Sequence, residues 1–262
     1  MQLQQLTWQD YRLWSGAGWN TVSGELQVLP QVHSPQLKND RNILVWLPPD
    51  YHTTEQRYPV IYMHDGQNLF DRATGFAGNE WCVDETMLAL SEEGIKAIIV
   101  GLPNTSERMQ EYNPFPDVWN GHGDLYLNFI TDTVKPLVDD AFRTQPAREH
   151  TGIMGSSMGG LISLYGFFAR PDTFGFAGVM SPSLWVGSGA IYDAVRERPY
   201  VDGKIYLDDG SREPSARKMK AALQRHGYKP GHNLLYVSEE NGEHNEAAWA
   251  RRLPNALRFL LA

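Results

Sequence analysis

From about residue 40 to the C-terminus, short apolar runs alternate with longer stretches of helical periodicity, and this alternation restricts the fold more than any other feature. Residues 42–47 (NILVWL), 60–63 (VIYM), 97–100 (AIIV), 151–154, 176–180, 204–207 and 234–237 have the length and composition of strands. Residues 79–90, 124–141, 158–169 and 246–261 read as helices; in the second, Leu125, Phe129, Val134 and Leu137 recur at broadly helical spacing. Strands separated by helices imply crossover connections, which make neighbouring strands parallel and cover both faces of the sheet. The expected fold class is therefore α/β, a mainly parallel central sheet with helices on both faces. Residues 25–30 are expected to add an antiparallel edge. In such sheets ligands sit beyond the carboxyl ends of the strands, so chemistry belongs in the loops that follow them.

A length of 262 residues suits one such domain, spanning 1–262, with residues 1–40 as an extension or as edge strands of the same domain. No linker, repeat or low-complexity tract divides it. The net charge is −8, and the densest basic stretch, residues 212–220, is interrupted by Glu213 and Pro214. That stretch reads as a solvated helix face, and nucleic acid is not an expected partner. Cys82 is the only cysteine, which excludes an internal disulfide and a cysteine-based metal site; it reads as a small buried apolar residue. No apolar run approaches the length of a membrane span, and residues 1–10 lack the apolar core of a secretory signal. A soluble, cytoplasmic location without a membrane partner is expected.

Gly155-Ser156-Ser157-Met158-Gly159 is a G-x-S-x-G pattern and occurs once. Alone it is weak, because a chain this rich in glycine and serine produces it by accident often enough. Its setting strengthens it: a short strand precedes the pentapeptide and an apolar helix follows immediately. A nucleophile elbow needs that strand–turn–helix arrangement, since the tight turn holds the serine in strained geometry, and the helix N-terminus favours a developing oxyanion. Ser157 is the candidate nucleophile.

In chains built around such an elbow, the acid and then the histidine follow the serine. His33, His52, His64, His122 and His150 precede Ser157. Of the remaining three, His226 caps a helix end and His232 precedes the strand at 234–237, on the opposite side of the sheet. His244 follows that strand and is the candidate base. The acid should follow the strand at 204–207, where Asp208, Asp209 and Glu213 all qualify. The oxyanion would rest on the amide of Met158 and on a second amide from the loop at 64–68, with Gln67 the best placed.

Several stretches together resemble the Putative esterase branch of the α/β-hydrolases, which includes feruloyl and acetyl-xylan esterases, enterochelin esterases, S-formylglutathione hydrolase and the antigen 85 mycolyltransferases. They are residues 58–70 (YPVIYMHDGQNLF), 108–114 (RMQEYNP), 151–161 (TGIMGSSMGGL), 181–185 (SPSLW), 207–214 (LDDGSREP) and 242–254 (GEHNEAAWARRLP). The resemblance implies an α/β-hydrolase fold. It also implies an acid in a short G-x-x-D/E segment after the penultimate strand, which Gly210-Ser211-Arg212-Glu213 fits, raising Glu213 above Asp208. Many members carry Asp there, so the Glu is a departure of one methylene. It further suggests that Trp185 and the segment from Arg108 to Tyr112 border the cleft; an Arg108–Glu111 structural pair is the competing reading.

These residues point to acyl transfer through a covalent intermediate, with no metal or organic cofactor required. Phe115, Trp119, Tyr126, Trp185 and Trp249 could form an aromatic or sugar site, or could equally be core. Trp185, Tyr112 and Trp119 are the candidate substrate contacts. The expected partner is a small-molecule or carbohydrate ester, first a carbohydrate-linked acetyl or phenolic ester. Siderophore esters, acyl-thioesters, transfer to an alcohol, and a non-catalytic binding protein on the same scaffold are the alternatives.

Overall fold

The computed structural model describes residues 7–16 and 18–262. The reading of residues 1–10 as lacking a signal-like core therefore falls, for residues 1–6, outside the described residues.

Among the described residues, nine strands form one sheet: β1 (Gln9–Asp10), β2 (Glu25–Ser34), β3 (Asn39–Leu47), β4 (Val60–His64), β5 (Ile98–Leu102), β6 (Thr151–Ser156), β7 (Phe176–Met180), β8 (Lys204–Gly210) and β9 (Leu234–Glu239). They lie in the order β1-β2-β3-β5-β4-β6-β7-β8-β9. Every neighbouring pair from β5 to β9 is parallel, and the three pairs from β1 to β5 are antiparallel. The chain moves outward from β4 to β5, then crosses back over β4 to β6 and continues the other way. Loops leaving β4 and β6 therefore diverge, and the crevice between them is where a ligand fits.

The helices are α1 (Tyr11–Ser15), α2 (Val83–Glu92), α3 (Arg108–Glu111), α4 (Gly123–Phe129), α5 (Lys135–Ala141), α6 (Met158–Ala169), α7 (Ala190–Glu197), α8 (Arg217–Arg225) and α9 (Glu246–Leu261). Two apolar clusters fill the two faces of the sheet. One gathers Tyr126, Leu161, Phe167, Val195 and Met219; the other gathers Met87, Leu90, Trp249, Leu253 and Leu257. Helix α9 illustrates why the sequence folds this way. The side chain of Asn245 caps it by accepting the Ala248 amide at 3.0 Å. Ala248, Trp249, Arg252, Leu253, Ala256, Leu257 and Leu260 then make its buried stripe.

The expected architecture is present, with local differences. The antiparallel strand is longer than residues 25–30, and β1 pairs outside it, so it is not the edge. Helix α2 starts at Val83, not Asn79, because Cys82 adopts φ 51° and blocks helix propagation; Cys82 is half-buried. Residues 124–141 are two helices joined by a π turn at Ile130–Val134. Within α4 itself Leu125 is exposed while Tyr126 and Leu127 are buried, so the buried stripe does not begin at Leu125.

Candidate active site

Strand β6 delivers Ser157 to the crevice, and α6 begins at the next residue. Ser157 adopts φ 57° and ψ −119°, a conformation that a side chain disfavours. Its backbone is held from two sides. The Ser157 amide donates to Met180 O at 3.0 Å at the end of β7, and Ser157 O accepts from the Ser183 amide at 2.9 Å. The Ser157 hydroxyl lies 3.2 Å from that of Ser183. Met158 is the first residue of α6, where an amide has no partner within its own helix and carries the positive end of the dipole.

Helix and sheet meet closely at the turn. A Cβ on Gly155 would fall 2.8 Å from His64 Cδ2, and one on Gly160 2.8 Å from Met180 O. Only glycine allows that approach. His64 itself is buried beneath the turn, with Nδ1 2.8 Å from the Tyr126 hydroxyl. Burial pushes its pKa down to about 3, which keeps it neutral.

On the far side, Glu213 and His244 meet. Glu213 Oε2 lies 2.5 Å from His244 Nδ1. The carboxylate is almost wholly buried, and the imidazole is 41% exposed. A carboxylate only accepts, so Nδ1 is the donor in this bond and Nε2 is the ring nitrogen left for another partner. Glu213 Oε1 accepts from Ser181 Oγ at 2.6 Å and from the Gly210 amide at 2.5 Å. Burial raises the pKa of Glu213, but bonds from His244, Ser181 and Gly210 outweigh it and hold the group below the ordinary carboxylate range. Trp249 packs edge-on against the imidazole at 5.1 Å.

The other carboxylates at the end of β8 are engaged elsewhere. Asp209 Oδ2 accepts from the Ala216 amide at 2.6 Å, Tyr236 at 2.7 Å and Ser215 at 3.1 Å, just before α8. Asp208 Oδ1 accepts from the Ser181 amide at 2.9 Å, away from the imidazole.

The loop after β4 forms the opposite wall. Asp65 adopts φ 55° and opens a turn of 3₁₀ helix at Gly66–Asn68. Gln67 is tied down by its side chain, whose oxygen accepts the Asn104 amide at 3.0 Å, and by its carbonyl, which accepts from Thr74 at 2.7 Å. Arg108 grips Asp65 through two bonds of 2.7 and 2.8 Å. The Arg108–Glu111 pair read from sequence does not form: Glu111 is buried against Arg41 at 2.7 Å. Tyr112 is fully buried with its hydroxyl accepting the Asp65 amide at 3.1 Å, so it supports the loop and does not line the cleft.

Ser157 and His244 line two adjoining recesses. The first, about 230 Å³, is completed by Ser181, Pro182, Ser183, Trp185, Glu213 and Pro214. The second, about 390 Å³, is completed by Asp65, Gln67, Asn68, Phe76, Asn104, Arg108, Ser156, Asn245, Glu246 and Trp249. Trp185 is 55% exposed, and its ring lies 5.8 Å from that of Trp119, itself 53% exposed. Among the described residues, no group of three His, Cys, Asp or Glu side chains could hold a metal ion.

The sequence model of the Putative esterase family matches residues 34–260. The chain belongs to the Putative esterase family. It is 29% identical over 246 residues, 87% of its length, to the siderophore triacetylfusarinine C esterase of Aspergillus fumigatus, and covers 80% of that protein. It is 23% identical over 79% of its length to an endo-1,4-beta-xylanase/feruloyl esterase of Xylanibacter ruminicola, spanning 27% of that longer chain. Among solved structures it resembles the ferric enterobactin esterase of Salmonella typhimurium with a TM-score of 0.73 and 21% identity, covering 92% of this chain and 59% of that one. The protein is a carboxylic ester hydrolase with the α/β-hydrolase fold.

Of the residues singled out in this esterase's sequence, Ser157, His244, Gln67 and Trp185 line the cleft together, and Glu213 reaches it beside the imidazole. Met158 lies buried at the turn, and Trp119 lies tilted against Trp185. Tyr126 and Trp249 are buried and polar-bonded, to His64 and Ser181. Sequence reading missed Ser181, Ser183, Asn104, Phe76, Glu246 and Arg252. The first two lie in the SPSLW stretch, whose serines carry no spacing that distinguishes them from loop residues. No helix among the described residues is long and apolar enough to cross a membrane.

Proposed function

We propose that this esterase works through an acyl-enzyme formed on Ser157. The observation that carries the reading is the 2.5 Å contact between Glu213 and His244 Nδ1, with the strained Ser157 lining the same cleft. His244 Nε2 takes the Ser157 proton as Oγ attacks the ester carbonyl, after a rotation that carries the hydroxyl from Ser183 to the imidazole. The oxyanion rests on the amides of Met158 and Gln67, each such donor contributing about 3 kcal/mol. His244 then protonates the leaving alcohol, and a water activated by the same ring releases the acid. Glu213 orients the imidazole and stabilises its cation without taking the proton. The cycle uses no metal or organic cofactor.

The exposed Trp185–Trp119 pair at the mouth of the smaller recess suits a flat acyl ring or a sugar face. A carbohydrate-linked phenolic or acetyl ester is accordingly the substrate class proposed. A siderophore ester is the second reading, favoured by the Aspergillus fumigatus relative. A fluorophosphonate probe should label the wild type and not Ser157→Ala; equal labelling of both, or of neither, sinks the mechanism. Turnover of methyl ferulate, acetylated sugars and a ferric siderophore lactone, measured side by side, separates the substrate readings.

A further inference from the structure

Behind Glu213 lies a buried polar cluster that takes no part in the acyl-transfer cycle. Arg252 projects from α9 and is 3% exposed. Its Nη2 donates to Ser181 Oγ at 2.8 Å, and its guanidinium lies 3.4 Å from Glu213 Oε1, 3.4 Å from Asp208 Oδ2 and 3.8 Å from Glu239 Oε2. Trp249 Nε1 also donates to Ser181 Oγ, at 3.0 Å. A serine hydroxyl has two lone pairs and one proton. With both lone pairs taken by Arg252 and Trp249, its proton has one remaining direction, toward Glu213 Oε1 at 2.6 Å. The bond direction is fixed by the count of donors.

Ser181 is itself held under strain. It adopts φ 40°, and the Asp208 side chain accepts its amide at 2.9 Å. A strained residue persists only where its surroundings determine it. Asp208, left over by the triad reading, has this work to do. Arg252 sets one positive charge among three acidic side chains on β8, β9 and the intervening loop, which offsets their mutual repulsion.

We propose that Ser181 and Arg252 are positioning residues, which together with the Gly210 amide saturate Glu213 Oε1 and so leave Oε2 as the one oxygen offered to His244 Nδ1. The proposal rests on the Ser157–His244–Glu213 reading. It assigns α9 a double role, since Trp249 packs on the imidazole while Arg252 orders the carboxylate behind it. The charged and titratable groups facing this cluster are Asp208 and Tyr206 from β8, Glu239 from β9 with Arg251 bonded to it at 2.9 Å, Glu246 at the start of α9, and the Arg212–Glu243 pair at 3.0 Å above the loop.

The test is the pH dependence of kcat/KM on a p-nitrophenyl ester, with fluorophosphonate labelling and thermal melting run in parallel. Ser181→Gly removes the hydroxyl and tolerates the positive φ. It should lower kcat/KM, by a smaller factor than loss of the Glu213 carboxylate itself. Loss of a donor to the carboxylate makes the acid–base pair easier to protonate, so the acidic limb should move up by about half a pH unit. Arg252→Gln should move the limb in the same direction, and Arg252→Lys, which keeps the charge, should largely restore it. A lower melting temperature with an unmoved limb and kcat/KM in Ser181→Gly would show a purely structural role and overturn the proposal. If Arg252→Gln does not fold, Ser181→Gly decides alone. Failure of the probe to label Ser157 in the wild type overturns the triad and this proposal together, whereas labelling with an unmoved limb overturns only the positioning role.

Discussion

Ser157 shows how much one residue can carry that its neighbours in sequence do not. The pentapeptide around it is common, and its meaning came from the strand before and the helix after. A serine at φ 57°, ψ −119° is strained by its own Cβ. Ser157→Ala should lower kcat/KM by a factor on the order of 10³ or more, read by ester hydrolysis. Ser157→Gly should be equally inactive yet more stable than Ser157→Ala, by about 1 kcal/mol of relieved strain, read by denaturant unfolding. Equal stability of the two variants would mean that the turn is not strained in solution. The acid was harder to read, because Asp208, Asp209 and Glu213 differ in sequence only by distance from one strand end. Their roles are separated by groups that arrive from far along the chain: Tyr236 beside Asp209, Arg252 beside Asp208, and His244 beside Glu213. Glu213→Gln should lower kcat/KM by about 10²–10⁴. Asp208→Asn keeps an oxygen to accept the Ser181 amide, so its loss should be at least tenfold smaller than that of Glu213→Gln, measured on one substrate. The reverse ranking would transfer the acid role to Asp208.

At the scale of elements, the bounds of α6, β7 and α9 were legible because α6 and β7 are continuous apolar runs and α9 carries a clear helical period. Arg170-Pro171 ends α6, and Asn245 caps α9. Helix α2 was not legible at its start, since nothing in the apolar pattern reports that Cys82 turns left-handed to bring Trp81 into the core. The seating of α6 on β6 and β7 depends on missing side chains, which periodicity cannot show. Gly160→Ala would place a Cβ 2.8 Å from Met180 O, a backbone atom that cannot swing aside. The helix must then lift away from the strand end that holds the Ser157 amide. A destabilisation of about 1–3 kcal/mol is expected, with kcat/KM falling alongside it. Unchanged melting would show that the sheet adjusts more readily than this contact implies.

For the molecule as a whole, a parallel sheet was legible from the alternation of strands and helices, but the strand order was not. It depends on which neighbour each strand finds, and the reversal at β4 that opens the crevice has no local signature. The same global burial decides how stability responds to pH. Asp84 is fully buried, accepting the Ser23 amide at 2.5 Å, and burial with a bond to Glu85 raises its pKa well above the ordinary 3.8. Burial likewise pushes Asp208 up to about 7, against the opposing pull of Arg252. Each group keeps its proton in the folded state at pH values where the unfolded chain has lost it. The folded state then binds more protons, and stability falls as pH rises. His64 works the other way: with its pKa pushed down to about 3, it contributes stability above its ordinary 6.5 that is lost as pH falls toward 3. Above pH 6.5 the His64 contribution is complete and only the tail of the Asp208 loss, which runs from 3.8 to about 7, remains, while the Asp84 loss continues beyond it. The melting temperature should therefore decline from pH 6.5 to 9, each carboxyl contributing up to about 1.4 kcal/mol per pH unit across its own window. Asp84→Asn mimics the protonated acid and still accepts the Ser23 amide, so it should flatten that decline; a slope identical to wild type in calorimetry across this range would place the titrating group elsewhere.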